Sequence, residues 1–77
     1  MNSQFLFISY EKRNIGGKEF LAIYVLEFYR KKVYTIYKIS DDYLISKLNT
    51  FEKLDNINDY VGFVIKRDGK ISLDIKL

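Results

Sequence analysis

The run from Glu19 to Tyr29 constrains the fold most. Phe20, Ala22, Tyr24, Leu26 and Phe28 alternate with Leu21, Ile23 and Val25, so a strand formed here is apolar on both faces. A helix of the same length is disfavoured, because β-branched and aromatic side chains lose rotamer freedom in a helix and pack well on a pleated surface. A strand apolar on both sides is central in its sheet, or bends from one layer to the next in a barrel.

The flanking segments supply its neighbours. Phe5 to Glu11 reads as a first strand, with Phe5 and Phe7 on one face and Leu6, Ile8 and Tyr10 on the other. Lys12 to Lys18 reads as a loop in which Gly16-Gly17 supplies positive φ angles. Arg30-Lys31-Lys32 is a charged solvent crossing, and Val33 to Ile39 is a third strand, with Val33, Thr35, Tyr37 and Ile39 opposing Tyr34, Ile36 and Lys38. Ser40 is a helix cap followed by Asp41-Asp42 at the positive end of the dipole. Leu44, Ile45, Leu48, Phe51 and Leu54 fall at helical spacing and predict a helix over about 41–54. Asp55 to Asp59 is loop. Tyr60 to Arg67 and Ile71 to Leu77 form a hairpin around Asp68-Gly69. A three-residue loop with a glycine bulge pairs Ile65 with Ile71, Phe63 with Leu73 and Val61 with Ile75. A two-residue turn would set Phe63 against Asp74, so the apolar match selects the bulge. The chain is thus one domain spanning 1–77, mostly β with one helix, in the order β-β-β-α-β-β.

Composition narrows the function. The chain has no His, Cys, Trp or Pro but seven Tyr and six Phe. Most acid–base, nucleophilic and metal chemistry near neutral pH uses His or Cys, so an enzyme is not expected, and neither is a metal or other cofactor. Asp41-Asp42 fits capping better than metal binding, Asp55 and Asp59 lack calcium-loop spacing, and Gly16-Gly17 is too short for a phosphate-binding motif. Absence of Cys suits a reducing interior, so a cytoplasmic location is expected. No apolar run is long enough to span a bilayer, and Met1-Asn2-Ser3-Gln4 carries no positive charge of the kind that opens a secretory leader. Thirteen basic residues against ten acidic give +3, a mild bias that permits phosphate contact.

Three meandering strands, a helix and a closing hairpin follow the element order of the OB-fold. The chain resembles small single-stranded-nucleic-acid-binding proteins of phages and mobile elements in size and layout. The resemblance implies a small five-stranded antiparallel barrel; the alternative is an open antiparallel sheet with one helix packed on it. It also implies binding across strands two and three, flanked by the loops joining strands 1–2 and 4–5. On this chain those positions are Lys12, Arg13 and Lys18 in the first loop, Lys66, Arg67 and Lys70 in the second, and Tyr24, Tyr34 and Tyr37 on the strands. Cations meet phosphates and flat rings meet bases. Each feature also has a plain reading: rings fill a small core, and lysines at hairpin tips are ordinarily solvated.

The expected function is therefore a non-catalytic binding protein that contacts single-stranded nucleic acid through basic loops and a tyrosine-rich face. The alternative is a phage or mobile-element inhibitor, similar in kind to anti-CRISPR proteins, that docks on a host nuclease or other nucleic-acid-handling protein; Tyr and Arg favour such interfaces. The last strand, Ile71 to Leu77, is a sheet edge that could pair with a second copy to form a homodimer. No membrane partner is expected.

Overall fold

The computed structural model describes residues 4–77, and Met1 to Ser3, part of the stretch read for a leader, lie outside them. Five strands form two antiparallel sheets. β1 (Phe5–Ile15), β2 (Lys18–Glu27) and β3 (Lys32–Ile39) make the first, in the order β1-β2-β3, and β4 (Val61–Ile65) with β5 (Ile71–Ile75) makes the second. A short helix, α1 (Asp42–Leu48), and a 3-10 turn at Asn58–Tyr60 lie between them.

β2 is central, as its two apolar faces require. Leu21, Ile23 and Val25 are fully buried on the inner face, where Phe5, Phe7 and Ile36 from the flanking strands and Leu44, Leu48, Ile57 and Ile75 from the other elements complete the core. Among the described residues no second layer covers the outer face. It carries Phe20, Tyr24 and Leu26, half-buried, beside the exposed Val33, Tyr37 and Ile39; only Ala22 is sealed, beneath its larger neighbours.

β1 departs from simple alternation. Phe7 pairs with Val25 but Ser9 with Tyr24, so Ile8 is an extra residue in a β-bulge. The slip moves Tyr10 from the predicted outer face to the inner one, opposite Ile23, where it packs on the core and its hydroxyl donates to Asn49 Oδ1 at 2.6 Å. The strand also runs on through Ile15, so Lys12 and Arg13 are strand residues, not loop. The turn is only Gly16-Gly17, at φ +58° and +82°. Two consecutive positive φ angles define the two-residue turn whose twist matches a hairpin, and glycine adopts both without a Cβ clash.

The helix is shorter than its apolar spacing predicts. Asp41, not Ser40, is the cap: its Oδ2 accepts from the Leu44 N–H at 3.3 Å, while Ser40 Oγ donates to Glu19 Oε1. After Leu48 the chain turns back, and Phe51 leaves the helical register to pack on Phe7 and Tyr60, with ring centroids 5.6 and 5.3 Å apart. The β4–β5 register agrees with the bulged form: Ile65 faces Ile71, Phe63 faces Leu73 and Val61 faces Ile75. Gly69 takes φ +80° inside a loop closed by the Lys66 N–H to Lys70 carbonyl bond of 2.8 Å.

The five strands do not close into a barrel; the fold is the open alternative. The edge of β1 that β4 would need is already occupied. Phe7 N–H donates to the Asp55 carbonyl, Leu54 N–H to the Phe7 carbonyl and Ile57 N–H to the Phe5 carbonyl, and Leu6 bridges Asn56. On the other side β5 meets β3 through side chains, chiefly the Lys38 Nζ–Asp74 Oδ1 pair at 2.9 Å.

That pair makes a pH prediction. The bond from Lys38 holds the Asp74 carboxyl below its ordinary value of 3.8, against the smaller opposing effect of burial. A depressed carboxylate adds stability above its unfolded pKa, and the gain is lost as pH falls through the lower folded value. Urea denaturation in acid below that ordinary value is expected to show a loss of stability that Asp74→Asn reduces. An unaltered acid profile in the variant would show that the pair carries none of it.

Candidate nucleic-acid interface

The nine residues singled out from the sequence separate into four places. Tyr24 and Tyr37 lie on the outer face of the three-stranded sheet, diagonal to each other because Tyr24 pairs with Thr35 and Tyr37 with Ala22. Phe20, opposite Ile39, extends this row of rings. Tyr34 is on the other face: it opposes the buried Val25, packs on the core and donates its hydroxyl to Glu27 Oε2 at 3.3 Å. It is not part of the outer ring row.

Lys12, Arg13 and Lys18 are at the β1–β2 end, and acids balance them there. Arg13 Nη2 lies 2.6 Å from Glu11 Oε1, and Tyr24 donates to the same oxygen at 2.5 Å. These bonds, Tyr24's first and Arg13's second, hold the Glu11 carboxyl below its ordinary range; the Glu11 bond in turn raises the Tyr24 phenol and the Arg13 guanidinium. Tyr24 is thus tied to Glu11 and Arg13 by hydrogen bonds through its hydroxyl. Lys12 Nζ sits 3.8 Å from Glu19, and Lys12 and Lys18 share a shallow depression with Glu19 and Asp42.

Lys66, Arg67 and Lys70 are elsewhere. Asp74 meets Lys38 near one end of β3, while Ile71 and Leu73 line a pocket with Tyr34, Glu27 and Arg30 near the other. β5 therefore runs alongside β3 in the same direction, and the β4–β5 tip lies toward the β2–β3 turn, away from Gly16-Gly17. The nine-residue step along β2 from Lys18 to Glu27 sets these ends about 30 Å apart.

The residues at the same end as the tip are Arg30, Lys31 and Lys32, which the sequence marks only as a charged solvent crossing; Arg30 lines a pocket with Phe63, Ile71 and Leu73. Residues 27–32 and 66–70 hold six cations and two carboxylates, Glu27 and Asp68. That net +4 exceeds the +3 of the whole chain and leaves the remainder at −1. Among the described residues none of Lys31, Lys32, Lys66, Arg67 and Lys70 is in an ion pair; Arg30 alone reaches a carboxylate, Glu27, at 3.6 Å. Glu27 is buried, its carboxylate inside a pocket of about 180 Å³ walled by Phe5, Tyr34 and Phe63.

Exposed rings accompany these cations. Phe28 and Tyr29 sit on the turn with centroids 5.8 Å apart, and Lys31 Nζ lies 5.7 Å from the Phe28 centroid. Phe63 stands edge-on to Phe5 at 5.6 Å and remains 64% exposed, beside the exposed Ile65 and Ile71. Phe28 lies on the second-strand ring row that the sequence suggests, whereas Tyr29 and Phe63 are ring sites that the sequence does not single out. The aromatic side chains next to Arg30 were its one available signal. The chain matches no family model, no curated protein and no solved structure, so the OB-fold resemblance rests on element order alone.

Proposed function

We propose that this chain binds single-stranded nucleic acid, with its principal phosphate contact at the end formed by the 28–31 turn and the 66–70 loop. The observation that carries this reading is the charge distribution: six cations, five of them in no ion pair among the described residues, share one end with exposed rings, while Lys12, Arg13 and Lys38 are each held by a carboxylate. Cations neutralise phosphates, and each ring offers a stacking surface worth about 1–3 kcal/mol per base. From that end the outer sheet face, with Tyr24, Tyr37 and Phe20, continues as a track for bases. The test is a fluorescence titration of labelled oligonucleotides across a salt series: affinity falling steeply with salt supports the reading, and absent or salt-independent binding removes it.

A second reading draws on the same outer face. Leu26, Val33, Tyr37 and Ile39 form an apolar surface that no other described residue covers, which suits docking on a host nuclease or another nucleic-acid-handling protein. Tyr37→Arg is expected to abolish such docking at least tenfold in a nuclease-treated binding assay with the purified target. A loop variant lacking Lys66, Arg67 and Lys70 should leave it intact. The reverse pattern would discount the sheet as a docking face.

A further inference from the structure

We propose that a cleft of about 460 Å³ at the far end of β3 binds one unpaired guanine base. The inference rests on the strand-binding reading and names what the outer face delivers a strand to. The cleft opens at the edge of β3 away from β2, beside the end of β5, so the consecutive residues Tyr37 and Lys38, which point to opposite faces, both line it. Tyr43 from the first turn of α1 and Leu77 also line it. Tyr37 and Tyr43 are 52% and 61% exposed, so both phenol rings offer surface that the core does not use. Its volume lies in the range of small-molecule sites and exceeds what one base needs.

Two side chains give the cleft its polarity. Lys38 Nζ donates to Asp74 Oδ1 at 2.9 Å and retains further N–H groups. Asp41 Oδ2 accepts the Leu44 N–H at 3.3 Å, which leaves Oδ1 and further lone pairs for a ligand. Lys38 and Asp41 line the same cleft, so together they offer a base one donor and two acceptor oxygens. The Watson–Crick edge of guanine presents the complement: O6 accepts, while N1–H and the N2 amine donate side by side. Adenine and cytosine place an acceptor next to their single amine, and uracil has one donor between two acceptors. Unstacked bases of single strands are read on this edge. The acids nearby, Asp41, Asp42 and Asp74, disfavour a phosphate here, so the cleft takes the base while the opposite end takes the backbone.

The test is NMR titration of the four nucleoside 5′-monophosphates into the ¹⁵N-labelled full chain. The common phosphate cancels between them. GMP is expected to bind at least about tenfold more tightly than AMP, CMP or UMP, with shifts confined to the residues that line the cleft, Phe20, Tyr37–Leu44, Ile75 and Leu77. Asp41→Asn keeps a capping oxygen, so the fold should hold, yet it replaces one acceptor with a donor and should remove the GMP preference. Tyr43→Leu should weaken all four alike. Equal affinities, shifts outside the cleft, or an Asp41→Asn variant with undiminished preference would overturn the inference. The oligonucleotide salt series reads the cationic end separately. If it stays steep while GMP fails, only the cleft falls. Selective GMP binding with a flat salt series removes the strand reading and keeps the cleft as a mononucleotide site.

Discussion

Replacing Ile57 by alanine is expected to cost about 2–5 kcal/mol of folding stability. Ile57 belongs to no strand and to no helix, yet it is fully buried. Its N–H donates to the Phe5 carbonyl at 2.9 Å, and its side chain joins the same core cluster as Phe5, Leu21 and Leu48. It thereby fastens the 54–57 segment along β1. Truncation removes buried apolar area and leaves a cavity that a strand-anchored backbone cannot collapse to fill. A domain of this size has a total stability of about 4–12 kcal/mol, so the loss takes a large share of it. Urea unfolding followed by circular dichroism should show a lower midpoint with an unchanged slope. Ile65→Ala, at a position 75% exposed, is the control and should move stability by no more than about 0.5 kcal/mol. Similar effects for the two would mean that Ile57 is not a core residue.

The second large effect concerns salt. For single strands, log affinity falls with log salt at about −0.7 per neutralised phosphate. Engagement of all six cations of the 28–32 and 66–70 segments predicts a slope near −4, a loss of about 300-fold between 50 and 200 mM salt. Removing Lys66, Arg67 and Lys70 together should halve the slope to about −2. Those residues are exposed and unpaired, so the fold should be indifferent to their loss. Removing Lys12 and Lys18 instead should change the slope little, because Glu19 and Asp42 already offset them. If the second pair proves the more damaging, the principal contact lies at the β1–β2 end and not at the 66–70 loop.

Much of the fold was legible where pattern and periodicity act locally. The two apolar faces of Glu19 to Tyr29 required a central strand, and the apolar match of Val61, Phe63 and Ile65 to Ile75, Leu73 and Ile71 selected the observed hairpin register. The Ile8 bulge left no trace, since an inserted isoleucine resembles any strand residue; only pairing with β2 reveals it. Lys12 to Asn14 read as loop because an edge strand facing water on its outer side can be as polar as one. The failure of closure depends on Leu54 to Ile57 reaching β1, a tertiary event that composition does not encode. For the site, residue types were readable and their grouping was not. Whether the 66–70 loop joins Lys12 or Lys31 depends on the direction of β5 against β3, which the Lys38–Asp74 contact reveals.

The uneven placement of charge has a kinetic consequence. A body positive at one pole and faintly negative elsewhere experiences torque near a polyanion and turns before touching it. The molecule is 39 Å long, several times the roughly 8 Å over which physiological salt lets such a field act. Rotation is therefore a last-moment event, felt only by the pole already close to the target. Dilute buffer lengthens that reach, so encounter there should become both faster and more uniformly end-on.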